Sequence, residues 1–401
     1  MKVNFKSVTM VLLLLAGSLA GQQTQNVFIL IIDGARYTET FGDSAHQNVP
    51  HMWNDLRPEG ALYTSFYNNG RTKTNSGHAS ILTGTWQILA NDGSERPHLP
   101  TLFEYYRDQY DILQDQTWVV TGKSKLDILA YSDDPDYGST VGSSVQISYP
   151  QKKDIPTRDS LLAVVSENHP RLTIVNFAQT DAEGHAGDWN GYQAAIYRAD
   201  SLIYNFWNYV QDDSVYQDKT TFFITNDHGR HTYDFTSHGD SCIGCRHIML
   251  LAMGPDTPAG IIDTTTYEQI DIAPTIGQLL HVDLPYATGQ VIRSAIGLTN
   301  RVERITQPQQ FKLMQNFPNP FNGSTKINYF LQHPGQIQIR IFDNKGRTTR
   351  LLSHGFQQAG LHTITWDGRN YQGYSLPSGI YFYQISSPGI ASTTRRMILL
   401  K

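Results

Sequence analysis

Five stretches of unbroken apolar character recur between residues 26 and 254, and they constrain the fold more than any other feature. They are NVFILIID (26–33), TWVVTG (117–122), LTIVNFAQTD (172–181), TTFFITND (220–227) and HIMLLAMG (247–254). A strand with one wet face alternates apolar and polar residues. A run without alternation suits a strand covered on both faces, as in parallel sheets with crossover helices on either side. Helical patterning lies between the runs. In NGYQAAIYRADSLIYNFWNYVQ (190–211), Tyr192, Ile196, Ala199, Ile203, Phe206 and Val210 share one face at helical spacing. The predicted class is α/β, with a mostly parallel central sheet flanked by helices, over residues 21–304.

From about residue 299 the pattern changes. TNRVERITQPQQFKLMQ is polar and carries no buried strand, and 305–315 reads as a linker. Beyond it, KINYFL, QIQIRIFD, HTITWDG and GIYFYQIS alternate with period two between Gly, Asn and Asp turns. This predicts a small C-terminal β-sandwich over 316–401, with Trp366 in its core. A chain of 401 residues suits two such domains, and 39% hydrophobic content can fill both cores. A net charge of -5 with no basic run gives nucleic-acid binding no electrostatic support.

Residues 1–20 read as an export signal. Lys2 and Lys6 precede the short apolar run Met10–Ala20, with Ser18 and Ala20 at the expected cleavage site. The run is too short to span a bilayer, which takes about 20 apolar residues, and no later run is longer. An N-terminal anchor is the competing reading. The expected location is outside the cytoplasm, by way of the periplasm to the cell surface or medium. Cys242 and Cys245 are the only cysteines. In an exported chain their C-x-x-C spacing favours a local disulfide over free thiols. A redox site lacks the surrounding βαβ pattern, and a structural zinc would need two further ligands, of which His247 supplies one at most.

Acids and histidines follow the apolar runs. Asp33 ends the first, Asp181 the third, with His185 four residues on, and Asp227 and His228 follow the fourth; His238 comes ten residues later. In open α/β sheets ligands bind beyond the carboxyl ends of the strands, so three strands aim these groups at one edge. Singly, an acid after a strand is a turn former or helix cap, and a lone histidine is structural. Together they form a mixed oxygen and nitrogen set of the kind zinc or manganese accepts, divisible into two sites. NNGRTKTNSGHASILTGT (68–85) reads as a loop opening a helix, whose N-terminal N–H groups attract an anion. It also supplies hydroxyls that a metal would activate.

Asp33, TKTNSGHASILTG, DAEGH, NDHG and SHGD, in this order, resemble the alkaline phosphatase superfamily, and DIAPTIGQLL (271–280) resembles its closing segment. The nearest branches are the nucleotide pyrophosphatase/phosphodiesterases and the phosphoglyceromutase-like metalloenzymes. The resemblance implies two divalent ions, zinc with manganese as the alternative. Asp33, Thr74, Asp227 and His228 would hold one; Asp181, His185 and His238 the other. It implies Thr74 as the nucleophile, with Thr72 and Ser76 as rivals, and a covalent phosphothreonine. Asn75 would hold substrate oxygens; Arg71, Lys73 and Arg230 are phosphate contacts or surface charges. His78 is expected to pack beneath the loop, and His231 stays outside the site. The phosphodiesterase branch has Pro-Asn where Ser76-Gly77 stand, and the sulfatase C/S-x-P-S-R signature is absent. The expected function is hydrolysis of a small phosphate ester. Sulfatase-like, phosphomutase-like and inactive metal-binding members are the alternatives.

The C-terminal segment carries a second resemblance. NFPNPFNGSTKINYFL, IRIFDNKGR, GLHTITWDGRN, LPSGIYFYQI and RRMILLK look like the sorting domain of bacterial type IX secretion cargo. That implies the type IX machinery as partner; a carbohydrate-binding or adhesive sandwich competes with it.

Overall fold

Each of the five apolar runs forms a strand in the computed structural model, which describes residues 23–298, 311–331, 334–358, 360–387 and 390–401. The expected export signal and most of the expected linker lie outside these residues. The chain divides into two units, Met1–Thr299 and Asn300–Lys401.

In the first unit the elements are β1 (Asn26–Ile32), β2 (Gly60–Tyr67), α1 (Thr74–Thr83), α2 (Leu102–Tyr110), β3 (Thr117–Thr121), β4 (Ser144–Ile147), α3 (Asp154–Asn168), β5 (Leu172–Phe177), α4 (Gln179–His185), α5 (Trp189–Asp212), β6 (Thr220–Thr225), α6 (Ile243–Arg246), β7 (His247–Met253), β8 (Ile261–Asp263), β9 (Tyr267–Glu268) and α7 (Ile272–Leu280). The strands form one sheet in the order β4-β3-β5-β1-β6-β7-β2-β8, with β9 beside β2. Strands β4, β3, β5, β1 and β6 run parallel.

Strand β7 is the exception to the expected direction: it runs antiparallel to both β6 and β2, so the sheet is mixed. An apolar run reports burial on both faces and not direction. Here the β6–β7 link is a loop with one short helix that stays at one edge, where a parallel crossover needs a long return. The half-polar strand β2 and the edge strands β4, β8 and β9 carry no long apolar run and were not anticipated.

The two faces bury separate cores. Val27, Ile29 and Ile31 of β1 enter one, while Phe28, Leu30 and Ile32 enter the other, as a strand's two-residue period requires. Helix α5 covers the second face through the predicted stripe of Tyr192, Ile196, Ala199, Ile203, Phe206 and Val210, all buried. The ends of β1, β5 and β6 deliver Asp33, α4 and Asn226–His228 to one edge of the sheet. Asp181 and His185 sit on α4 and not on the strand extension, because β5 stops at Phe177.

The second unit is antiparallel. Its strands are β10 (Phe311–Leu313), β11 (Thr325–Leu331), β12 (Gly335–Phe342), β13 (Thr348–Gln357), β14 (Gly360–Trp366), β15 (Gly379–Ser387) and β16 (Ile390–Leu399). They form the sheets β10-β11-β14 and β13-β12-β15-β16. Ile327, Ile339, Ile341, Tyr383 and Trp366 fill one core.

Candidate metal centre

Helix α1 brings Thr74 to the sheet edge. Lys73 precedes it in extended backbone, and Thr74 occupies the first helical position, almost fully buried. Gly77 lies on the end of β6: a Cβ there would stand 2.6 Å from the Asp227 carbonyl oxygen. Only glycine permits that approach, and it sets Thr74 Oγ1 3.5 Å from His228 Nε2.

Asp33, Asp227 and His228 are fully buried, and one donor atom from each lies within 4.8 Å of the others. Each carboxylate has one oxygen engaged by protein. Asp33 Oδ2 accepts from Asn176 Nδ2 at 3.1 Å and Lys123 Nζ at 2.9 Å, and Asp227 Oδ1 from the Gly34 N–H at 3.1 Å. The other two oxygens, Asp33 Oδ1 and Asp227 Oδ2, are buried and accept no hydrogen bond. His228 Nε2 lies 3.9 and 3.3 Å from them. His228 Nδ1 donates to the Gly229 carbonyl at 2.8 Å, which leaves the lone pair on Nε2. Two orphaned anionic oxygens, an imidazole lone pair and a hydroxyl therefore converge, and this donor set fits a divalent cation. Without a metal, electrostatics push the two carboxyls in opposite directions. Burial and the facing Asp227 raise the Asp33 pKa. Burial also opposes ionisation of Asp227, yet His228 and His78 hold its carboxyl below the usual range.

The second predicted set also assembles. His185 and His238 approach through Nε2 at 3.1 Å, and each lies within 3.5 Å of Asp181 Oδ1. His238 Nδ1 donates to the Thr72 carbonyl at 3.0 Å, so its Nε2 is the acceptor. This set differs from the first in its charge. Arg230 Nη2 bonds to Asp181 Oδ1, and Lys123 Nζ to Asp181 Oδ2 at 2.6 Å. Burial opposes ionisation of Asp181, but Lys123, His228 and Arg230 hold its carboxyl well below the usual range. Burial and the neighbouring His228 lower His238 to about 3. A second cation held by these histidines and Asp181 Oδ1 would have to compete with Arg230, which bonds that oxygen, while Lys123 holds the other.

Other sequence expectations change. Asn75 has its donors engaged elsewhere: its N–H donates to Asn91 Oδ1 at 3.1 Å and its Nδ2 to the Ala90 carbonyl at 3.0 Å, while its buried Oδ1 accepts no hydrogen bond. The 89–91 segment folds over the helix start and takes up these donors. Arg71 is exposed, with Nη1 3.4 Å from the Leu89 carbonyl, and the Lys73 stem lies along Gly239. Arg230 is a buried partner of Asp181 and the Phe235 carbonyl, not a surface cation. His78, on α1 itself, is fully buried, its Nδ1 donating to the Thr74 carbonyl at 2.8 Å. Both cysteines are free thiols, so the expected disulfide is not formed. Their sulfurs turn instead toward His231 Nδ1, at 3.7 and 3.4 Å. Lys123 was missed altogether. Its signal is position: it follows the apolar run of β3 by two residues, at the same edge as Asp33.

A family model described as sulfatase matches residues 25–282, and one described as FlgD Ig-like domain matches 319–389. Among curated proteins, the basal-body rod modification protein FlgD of Salmonella typhimurium is 37% identical over 66 residues, 16% of this chain and 28% of its own length. The 2,3-bisphosphoglycerate-independent phosphoglycerate mutase of Gracilaria tenuistipitata var. liui is 25% identical over 138 residues, 34% of this chain and 26% of that protein. The chain thus spans under a third of these relatives. Of solved structures, the alkaline phosphatase PafA aligns with TM-score 0.52 and 12% identity, over 69% of this chain and all of that one. A 2-O GAG sulfatase aligns with TM-score 0.53 and 12% identity, over 86% of this chain and 85% of that one. At such identities the likeness is one of fold. The C-terminal match is to the FlgD domain and not to a secretion sorting domain.

Proposed function

The chain belongs to the sulfatase family, within the alkaline phosphatase superfamily, and from that premise we propose that it is an exported, metal-dependent hydrolase of phosphoric esters with Thr74 as nucleophile. The observation that carries the reading is the convergence of the Thr74 hydroxyl, His228 Nε2 and the two orphaned oxygens of Asp33 and Asp227. The rival hydroxyls are engaged elsewhere. Thr72 Oγ1 donates to the Asp240 carbonyl at 2.7 Å, and Ser76 Oγ accepts from the Leu89 N–H at 3.0 Å.

Asp33, Thr74, Asp227 and His228 would hold one divalent ion, zinc or manganese, and Asp181, His185 and His238 a second. Bound there, the ions supply positive charge that favours the Thr74 alkoxide and offsets charge on the phosphoryl oxygens. The protein's part is placement. Helix α1 fixes Thr74 for in-line attack. The ester bond breaks as the bond from Thr74 Oγ1 to phosphorus forms; water then releases phosphate and restores the hydroxyl. Lys123, once displaced from the carboxylates, would pair with an equatorial oxygen. Asn75 is not needed for this.

A sulfate ester is the second reading, favoured by the family description and by the sulfatase among the structures of like fold. Against it stands a loop with threonine and no C/S-x-P-S-R sequence. The test loads the full chain with zinc or manganese and compares p-nitrophenyl phosphate, bis-p-nitrophenyl phosphate and p-nitrophenyl sulfate. Turnover of a phosphate ester that Thr74→Ala abolishes is expected; turnover of the sulfate alone overturns the assignment. For residues 316–401 the proposed role is the export address read by the type IX machinery.

A further inference from the structure

The loop between β6 and β7 gathers a second kind of donor set that the hydrolase site does not use. His231, Asp240, Cys242 and Cys245 each offer one atom, and the four atoms lie within 4.8 Å of one another. His231 Nδ1 is at the middle, 3.0 Å from Asp240 Oδ2, 3.7 Å from Cys242 Sγ and 3.4 Å from Cys245 Sγ. One ring nitrogen makes one good hydrogen bond, so hydrogen bonding cannot account for three partners converging on Nδ1. Tetrahedral zinc can. With zinc–sulfur near 2.3 Å and zinc–nitrogen near 2.0 Å, neighbouring ligand atoms sit roughly 3.2–3.8 Å apart. Two thiolates also select a soft ion and disfavour magnesium, calcium or manganese. The sulfurs come from a tight turn: α6 starts at Ile243, and the Cys245 and Arg246 N–H groups both donate to the Cys242 carbonyl at 3.1 Å.

We propose that His231, Asp240, Cys242 and Cys245 bind a structural zinc ion, separate from the hydrolase centre and sharing no residue with it. Its effect follows from what the loop touches. The Asp240 carbonyl accepts from Thr72 Oγ1, His238 Nδ1 donates to the Thr72 carbonyl, and the Gly229 N–H donates to the Cys245 carbonyl at 2.8 Å. Zinc would tie together both ends of the segment that presents His238 and braces the residues before Thr74. Cys245 is buried while Asp240 is exposed, so the ion has a route in from solvent.

The experiment uses the full chain, stripped by chelator under reducing conditions and titrated with cobalt(II). The hydrolase set contains no sulfur, so a near-ultraviolet sulfur-to-cobalt charge-transfer band reports this site alone. With cobalt in excess of every proposed site, the band is expected to level off at the intensity of one thiolate-bound cobalt per chain, and to disappear when zinc is added in excess. Cys245→Ser and His231→Ala should abolish it. Asp33→Asn and Thr74→Ala, which disable the proposed hydrolase, should keep it, so the two readings fail separately. Alkylation of the wild-type thiols gives a check that does not depend on how variants fold, with zinc expected to slow it at least tenfold. A wild-type chain that takes up cobalt without the band, or whose thiols alkylate equally fast with and without zinc, overturns the proposal. So does a Cys242–Cys245 disulfide found by non-reducing mass spectrometry in the exported protein.

Discussion

Thr74 owes its position to groups that would never touch a substrate. His78 holds the Thr74 carbonyl from below, and Gly77 lets α1 settle on the end of β6. Loss of the hydroxyl should therefore cost chemistry and not structure: Thr74→Ala is expected to lower kcat by at least about 10³-fold with an unchanged melting temperature, while Thr74→Ser retains measurable turnover. Lys123 makes a different prediction. It neutralises Asp33 and Asp181 in the metal-free chain, and removing one partner of a buried pair costs about 3–5 kcal/mol. Lys123→Met should melt earlier than wild type when chelated. Metal should then restore more stability to it than to wild type, read as the difference between loaded and stripped melting curves. Asp181 and His185 arrive on α4 and Thr74 on α1, whereas Asp33, Asp227 and His228 were legible because each directly follows an apolar run, where strand geometry aims it at the edge. Asn75 was not, because its fate depends on the 89–91 segment, which carries no pattern and reaches it from outside the motif. Lys123 hid for the same reason: one cation after a strand looks like any surface lysine until the fold puts two acids beside it.

Among the elements, α1 and α3 carry the clearest tests. A methyl at Gly77 meets the Asp227 carbonyl, so Gly77→Ala is expected to cost about 1–3 kcal/mol and to loosen metal binding together with stability. Asp154 opens α3 fully buried, with Oδ1 accepting from the Gln179 N–H and Oδ2 unpartnered. Burial raises it to about 7, against the Gln179 N–H, which lowers it. A raised folded-state pKa means the folded chain holds the proton more tightly. This contribution to stability is complete below about pH 4 and is lost as pH climbs through about 7. Asp154→Asn should flatten that loss. Its gain in melting temperature should be larger at pH 8 than at pH 5, by about 2–4 °C for each kcal/mol recovered. The same mutant comparison showing equal gains at both pH values would count against it. Element existence was readable from apolar runs and the α5 stripe. Strand direction was not, since β7 has the composition of its parallel neighbours and differs only in how the chain returns to it.

At the scale of the whole molecule, two units each have their own core. If residues 316–401 are an export address, a chain ending at residue 310 should accumulate in the periplasm with its hydrolase activity intact. Equal amounts of the truncated and full chains in the medium would remove that role and leave the FlgD-like match as the better guide. The boundary was visible as a change from continuous to alternating apolar pattern, whereas the partner of the sandwich is a matter of surface detail that a period-two pattern does not encode. The reversed β7 has one more consequence, in chain entropy. Because β6 and β7 are adjacent and joined on one side, residues 226–246 close over a short contour. Asp227, His228, His238 and both cysteines lie on this one connection, while Asp33, Thr74 and Asp181 must arrive from distant parts of the chain. The β6–β7 pairing thus places residues of both proposed sites on one connection, whose closure costs less entropy than bringing in groups from distant strands.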